Sequence, residues 1–240
     1  MENINFSDLN LDPKVLQAID DMGFEEPSQI QAESIPVILD GNDVIGQAQT
    51  GTGKTLAFGA PMLSKITTKS KHISALIVTP TRELAIQVND ELSRIAKFKK
   101  VALLPIYGGQ PIDRQIRSLK RGVDVVVGTP GRMLDHIKRK TLDLSNIEFL
   151  IIDEADEMLD MGFIEDIENI IKATNSDRQT LLFSATMPDQ IKKLSSRYMK
   201  PNIKCIKIAK NTLTVEKTKQ YYYEIKNKDR FESLCRILDV

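Results

Sequence analysis

Seven short apolar runs, many of them β-branched, alternate along this chain with stretches of helical periodicity, and that alternation constrains the fold more than any other feature. The runs are Val44 to Gln47, Ala75 to Thr79, Ala102 to Ile106, Val123 to Gly128, Phe149 to Asp153, Thr180 to Ser184 and Lys204 to Ile208. Apolar residues at consecutive positions suit strands buried on both faces. Between the runs lie segments such as Arg82 to Lys97, in which Leu84, Ala85, Val88, Leu92, Ile95 and Ala96 fall on one helical face. The alternation predicts βαβ units and a doubly wound α/β fold, with a mostly parallel sheet flanked by helices. Such sheets bind ligands at the carboxyl ends of their strands. Polar clusters follow six of the runs, at Gln49 to Thr55, Pro80 to Glu83, Gly108-Gly109, Thr129 to Arg132, Asp153 to Asp156 and Ser184 to Thr186. A parallel sheet would gather all of them on one rim.

The octet Ala48-Gln49-Thr50-Gly51-Thr52-Gly53-Lys54-Thr55 joins the first run to a helix that opens at Lys54. Backbone N–H groups of a Gly-rich turn and a helix N-terminus together make a concave anion site. In the pattern G-x-x-x-x-G-K-[ST], the lysine reaches the β- and γ-phosphates of a nucleotide and the hydroxyl ligates Mg²⁺. Lys54 and Thr55 take those roles here, although Ala48 stands where the pattern has its first glycine. A loop that merely turns the chain is the competing account of the octet alone.

Asp153-Glu154-Ala155-Asp156 ends the buried run Phe149 to Ile152. Two carboxylates at the end of a hydrophobic strand are costly unless something compensates them. A divalent cation supplies that compensation, with Asp153 as its acceptor and Glu154 orienting and deprotonating an attacking water. For Asp156 and Glu157 a simpler role stays open, as acidic residues favouring a helix dipole.

Composition adds exclusions. With 33 basic and 33 acidic residues the formal net charge is zero, so any nucleic-acid contact must come from a local patch. Cys205 and Cys235 have no metal-ligand spacing and read as ordinary thiols of a reducing compartment. The start Met1-Glu2-Asn3-Ile4-Asn5 lacks a basic leader region, and no apolar run approaches membrane-spanning length, so a cytoplasmic location is expected. His72 and His136 fit no catalytic triad and are expected at the surface.

The motifs, in their order, resemble the first RecA-like domain of the DEAD-box ATP-dependent RNA helicases over residues 1–208. The resemblance rests on Gly23 to Gln31, with Phe6 upstream, and on Pro80-Thr81-Arg82-Glu83-Leu84-Ala85, Gly108-Gly109, Thr129-Pro130-Gly131-Arg132, Asp153-Glu154-Ala155-Asp156 and Ser184-Ala185-Thr186. It implies an adenine site at Gly23 to Gln31. A carboxamide places a donor beside an acceptor, as pairing with adenine N6 and N7 demands, so Gln31 would prefer ATP to GTP. Phe24 would pack on the base and Phe6 would buttress the segment. Without the resemblance, Phe24 reads as a core aromatic and Gln31 as a surface residue of a helix capped by Ser28.

The same resemblance implies that Pro80, Thr81, Arg82, Gly108, Gly109, Thr129 and Arg132 grip RNA along its sugar-phosphate backbone. Hydroxyls, glycine N–H groups and guanidinium forks suit phosphates and read no bases, so binding would be sequence-independent and salt-sensitive. Pairing of Arg82 with Glu83 and of Arg132 with Asp135 is the alternative. Ser184 and Thr186 would couple hydrolysis to strand separation through Asp156.

The resemblance further implies an interdomain linker at 209–219 and, at 220–240, the opening strand (Tyr221 to Ile225) and helix (Asp229 to Leu238) of a second RecA-like domain. That domain would bring the arginine fingers and the other half of the RNA groove. The expectation is a chain that binds Mg-ATP but, by itself, hydrolyses it poorly and does not unwind duplexes. The rival is a nucleotide-binding RNA clamp or regulatory fragment that works without turnover.

Overall fold

The computed structural model describes residues 4–66, 68, 72–208 and 221–238. It falls into two compact units, 1–208 and 209–240.

In the first unit the strands are β1 (Val44–Gln47), β2 (Ala75–Val78), β3 (Leu103–Ile106), β4 (Val125–Gly128), β5 (Phe149–Ile152), β6 (Gln179–Ser184) and β7 (Lys204–Lys207). All seven apolar runs form strands, with ends within two residues of those read from sequence. The helices are α1 (Pro13–Asp21), α2 (Gln29–Leu39), α3 (Lys54–Lys65), α4 (Arg82–Ile95), α5 (Ile112–Lys120), α6 (Pro130–Lys138), α7 (Ala155–Asp160), α8 (Ile164–Lys172) and α9 (Asp189–Tyr198).

The strands make one sheet in the order β3-β4-β2-β5-β6-β1-β7, and every pairing is parallel. Alternate residues of each central strand enter different cores. Ala75, Ile77, Phe149 and Ile151 join the core under α1 to α4. Leu76, Val78, Leu150 and Ile152 join the one under α6, α8 and α9. Burial on both faces explains why these strands read as unbroken apolar runs. The edges are less protected: β7 exposes Lys204 and Lys207, and β3 carries Pro105, which an edge strand tolerates. Cys205 and Cys235 are both free thiols. No helix among the described residues is long and apolar enough to cross a membrane.

The expected linker, 209–219, lies outside the described residues. In the second unit residues 221–226 are irregular, so the strand expected at Tyr221 to Ile225 is not formed. A strand needs a neighbour to complete its ladder, and no strand among the described residues pairs with this segment. A helix does form, α10 (Arg230–Leu238), with Leu234, Ile237 and Leu238 exposed.

Candidate functional site

Because all strands run parallel, their carboxyl ends place the six polar clusters on one rim. Across it stand the residues at and beyond the ends of β3 (Gly108, Gly109), β4 (Thr129 to Arg132), β2 (Pro80 to Glu83), β5 (Asp153 to Asp156), β6 (Ser184 to Thr186) and β1 (Gln49 to Thr55).

At the β1 end, Gln49 to Gly53 form a turn in which the Thr52 hydroxyl donates to the Gln49 carbonyl at 2.7 Å. Gly51 and Gly53 have φ of 83° and 89°, a region that disfavours side chains. A Cβ at Gly53 would also collide with the Gln31 amide. The Lys54 side chain is buried, and its Nζ has no hydrogen-bond partner. Its nearest carboxylate oxygen is Glu154 Oε1 at 4.0 Å, beyond hydrogen-bond reach. That same oxygen accepts from the Thr50 hydroxyl at 3.3 Å. An ammonium buried without hydrogen bonds is costly unless an anionic group completes its shell.

Asp153 is 3% exposed and accepts from the Glu154 N–H at 3.0 Å. Burial pushes its carboxyl up to about 6, with Lys54 pulling down and Glu154 and Glu91 pushing up. Glu154 has φ 54° and ψ 53°, a left-handed conformation that a non-glycine residue adopts at a cost of order 1–3 kcal/mol. Asp156 is bound on three sides. Its N–H donates to the Ser184 hydroxyl at 3.2 Å, and its Oδ2 accepts from the Thr186 N–H and hydroxyl at 2.8 and 2.9 Å. Burial would raise this carboxyl, but the Ser184 and Thr186 hydrogen bonds outweigh it and hold it below the usual range. Gln47 Nε2 donates to the Ala185 carbonyl, tying β1 to the same loop.

The Gly23 to Gln31 segment lies against the turn. Gln31 is buried, not a surface residue of α2: its Oε1 accepts from the Ser28 N–H at 2.8 Å and its Nε2 donates to the Gly53 carbonyl at 3.0 Å. The Ser28 hydroxyl donates to the Thr52 carbonyl. Phe24 is 47% exposed, whereas Phe6 is buried, and its N–H reaches the Glu25 carbonyl. The two rings line one groove with Leu16 and Ile19.

At the β3–β4–β2 end, Thr81 caps α4 by accepting from the Leu84 N–H, and Pro80 is buried behind it. Arg82 is exposed and stacks over the Tyr107 ring, with 5.3 Å from guanidinium carbon to ring centre. A Cβ on Gly109, which has φ 81°, would stand 3.4 Å from Arg82 Nη1. Thr129 precedes α6. Arg132 donates from Nη1 to the Gln110 carbonyl and to Gln115 Oε1, and its Nε lies 3.9 Å from Asp135. The Arg132–Asp135 pair is therefore present, as one contact of several.

The DEAD/DEAH box helicase model matches residues 28–194. This chain belongs to the DEAD/DEAH box helicase family. It is 53% identical over 98% of its length to the DEAD-box ATP-dependent RNA helicase CshA of Bacillus cereus, covering 45% of that protein. Against CshA of Bacillus subtilis it is 52% identical over 99% of its length, covering 48%. The chain thus spans about half the length of these relatives. Among solved structures, a DEAD box protein from Methanococcus jannaschii matches with TM-score 0.83 and 47% identity, over 98% of this chain and 63% of that one. The fold is the RecA-like domain of the family.

Within this DEAD-box domain, two side chains near the rim belong to none of the motifs. Glu91 of α4 lies among the charges that act on Asp153. Burial raises its carboxyl against a hydrogen bond from the Thr55 hydroxyl and the charge of Arg94. The signal was present in the sequence: Leu84, Val88, Glu91 and Ile95 share one helical stripe, where a carboxylate is out of place. The second is His136. It was expected at the surface but is fully buried, with Nδ1 2.8 Å from the Thr141 hydroxyl and Nε2 3.0 Å from Gln115 Oε1. It follows buried Met133 by three positions on α6, which turns it inward. Burial and the charge of Arg132 hold its pKa below the ordinary value. His72 is exposed, as expected.

Proposed function

We propose that this chain is the nucleotide-binding half of an ATP-dependent RNA helicase. In this assignment it takes Mg-ATP at the β1–β6–β5 end of its rim and RNA backbone at the β2–β4–β3 end. With a second RecA-like domain it would hydrolyse ATP to separate RNA duplexes. The observation that carries the proposal is the buried, hydrogen-bond-free Lys54 Nζ beside Asp153 and Glu154. A triphosphate oxygen satisfies that ammonium, and the turn Gln49, Thr50, Gly51, Thr52 and Gly53 offers N–H groups around it.

The residues present fit a hard divalent cation. Among the described residues no cluster of three His, Cys, Asp or Glu forms a ready metal cage. Mg²⁺ needs none, because it keeps waters and binds through one or two protein oxygens and substrate phosphates. Thr55 and Asp153 would hold it, and it would neutralise charge on the phosphates. Glu154, in a left-handed conformation two residues past β5, would orient the attacking water and take its proton. Phe24 presents an exposed ring for the base, and Gln31 presents a carboxamide that already bridges Ser28 and Gly53. Adenine pairing there would bear directly on the phosphate turn. Asp156, Ser184 and Thr186 would couple the nucleotide end to strand separation.

Nucleotide titration of wild type, Gln31→Ala and Lys54→Ala with ATP and GTP tests this. Gln31→Ala should lose the preference for ATP, and Lys54→Ala should lose affinity for both nucleotides. If Lys54→Ala bound ATP as tightly as wild type, the phosphate site would be misplaced. Alone, the 240-residue chain is expected to hydrolyse ATP very slowly, because an arginine finger contributes about 10³- to 10⁵-fold in related phosphoryl transfer. RNA-stimulated turnover at the rate of a two-domain enzyme would contradict that.

A further inference from the structure

Behind the RNA end of the rim lies a buried polar network that no motif describes. Gln115 of α5 is 3% exposed, yet both ends of its carboxamide are engaged. Its Oε1 lies 3.1 Å from Arg132 Nη1 and 3.0 Å from His136 Nε2, and its Nε2 donates to the Tyr107 carbonyl at 3.0 Å. Chemistry fixes the proton positions. A guanidinium only donates, so the amide oxygen faces Arg132, and His136 must then carry its proton on Nε2. Nδ1 lies 2.8 Å from the Thr141 hydroxyl, which also reaches the His136 carbonyl at 3.1 Å.

The network also reaches the other arginine of the rim. Tyr107, whose carbonyl Gln115 holds, immediately precedes Gly108-Gly109, and its ring lies under Arg82. Its hydroxyl accepts from Gln110 Nε2 at 2.6 Å, and the Gln110 carbonyl in turn accepts from Arg132. Only 13% of the Arg132 side chain is exposed. Its Nη1 has two protein acceptors and its Nε faces Asp135, while Nη2 has no protein partner among the described residues.

From this geometry we infer that Gln115 is a positioning residue for RNA binding: through its amide oxygen, shared with His136, it fixes the Arg132 guanidinium with Nη2 left for a phosphate. The inference rests on the RNA assignment above. The physical reason is entropic. A long, flexible side chain loses rotamer freedom when it grips a ligand, and one already held loses less. Removing the holder should therefore weaken RNA binding without touching the RNA.

The test is a double-mutant cycle on the 240-residue chain, read by anisotropy of a labelled single-stranded RNA oligonucleotide at low salt. Gln115→Met keeps the side-chain volume but removes the acceptor. It should weaken binding about three- to tenfold. In the Arg132→Ala background it should add nothing, because the group it positions is gone. Affinity for an ATP analogue should match wild type in every variant, which separates positioning from general damage. Should Gln115→Met fail to fold, Gln115→Asn withdraws the same oxygen by one methylene while remaining polar, and carries the same expectations. Wild-type RNA affinity in the folded Gln115 variant, with Arg132→Ala weakened, would overturn the inference and leave the RNA assignment standing. Effects that multiply in the double variant would also overturn it. Unchanged RNA binding in both Arg82→Ala and Arg132→Ala would bring down the RNA assignment on this face, and the inference with it.

Discussion

At the β1 end of the rim a buried ammonium faces two acids without a hydrogen bond, whereas at the β4 end a buried carboxamide has both its oxygen and its nitrogen engaged. The first arrangement is unsatisfied until something charged arrives. The second is complete beforehand and holds its arginine ready. The difference matches two kinds of recognition. A compact, multiply charged ligand can compensate buried charges that nothing else satisfies. A long polyanion gripped along its backbone gains more from donors already held in place.

The contrast can be broken most forcefully at Glu154. In a protein carrying both RecA-like domains, Glu154→Gln should lower ATP turnover about 10²- to 10⁴-fold, the usual span for a general base, with nucleotide affinity little changed. Normal turnover there would remove Glu154 from the chemistry. Lys54→Ala comes next, with a loss of about ten- to a hundredfold in ATP affinity by titration, the worth of a charge-assisted contact.

Asp153→Asn should act in the opposite sense on stability. The folded-state carboxyl is raised from 3.8 to about 6, so its favourable contribution exists at low pH and is lost as pH rises through 6. At pH 7 to 8, without nucleotide or metal, the amide should stabilise the domain by on the order of 1–3 kcal/mol, and the gain should vanish as pH falls toward 4. Thermal melting of both proteins across that range checks it.

His136 should show the reverse pH dependence. Its folded pKa is depressed below 6.5, first by burial and then by Arg132 and Arg139, with Asp135 opposing. Its contribution is therefore present above 6.5 and lost as pH falls below it. His136→Gln should flatten that part of the melting profile. A profile identical to wild type would mean that the network tolerates the imidazolium. The smallest effect is expected at Gly53→Ala, about 1 kcal/mol or somewhat more, since φ 89° disfavours any Cβ and the Gln31 amide occupies its space.

Much of this was legible in the residues themselves. Runs such as Ala75 to Val78 and Phe149 to Ile152 are apolar at every position because both sheet faces are covered. The polar clusters after them told which way the strands point. Strand order was not legible, since nothing in β5 says that it pairs with both β2 and β6. Glu91 and His136 were missed for a shared reason: each is a single polar residue on an apolar helical stripe, and its meaning lies in partners far away in sequence. The expected strand at Tyr221 to Ile225 fails for the opposite reason, because local pattern cannot supply a pairing neighbour.

The ladder under the rim has a mechanical consequence. Val78 is in register with Ile152, and Ile152 with Leu182, directly beneath the loops that carry Thr81, Glu154 and Thr186. A close-packed, hydrogen-bonded floor of this kind cannot slide one rung without rupturing the rest. It behaves as a stator, so under the proposed function a signal between triphosphate and polynucleotide would travel along the crest, where Thr186 clasps Asp156.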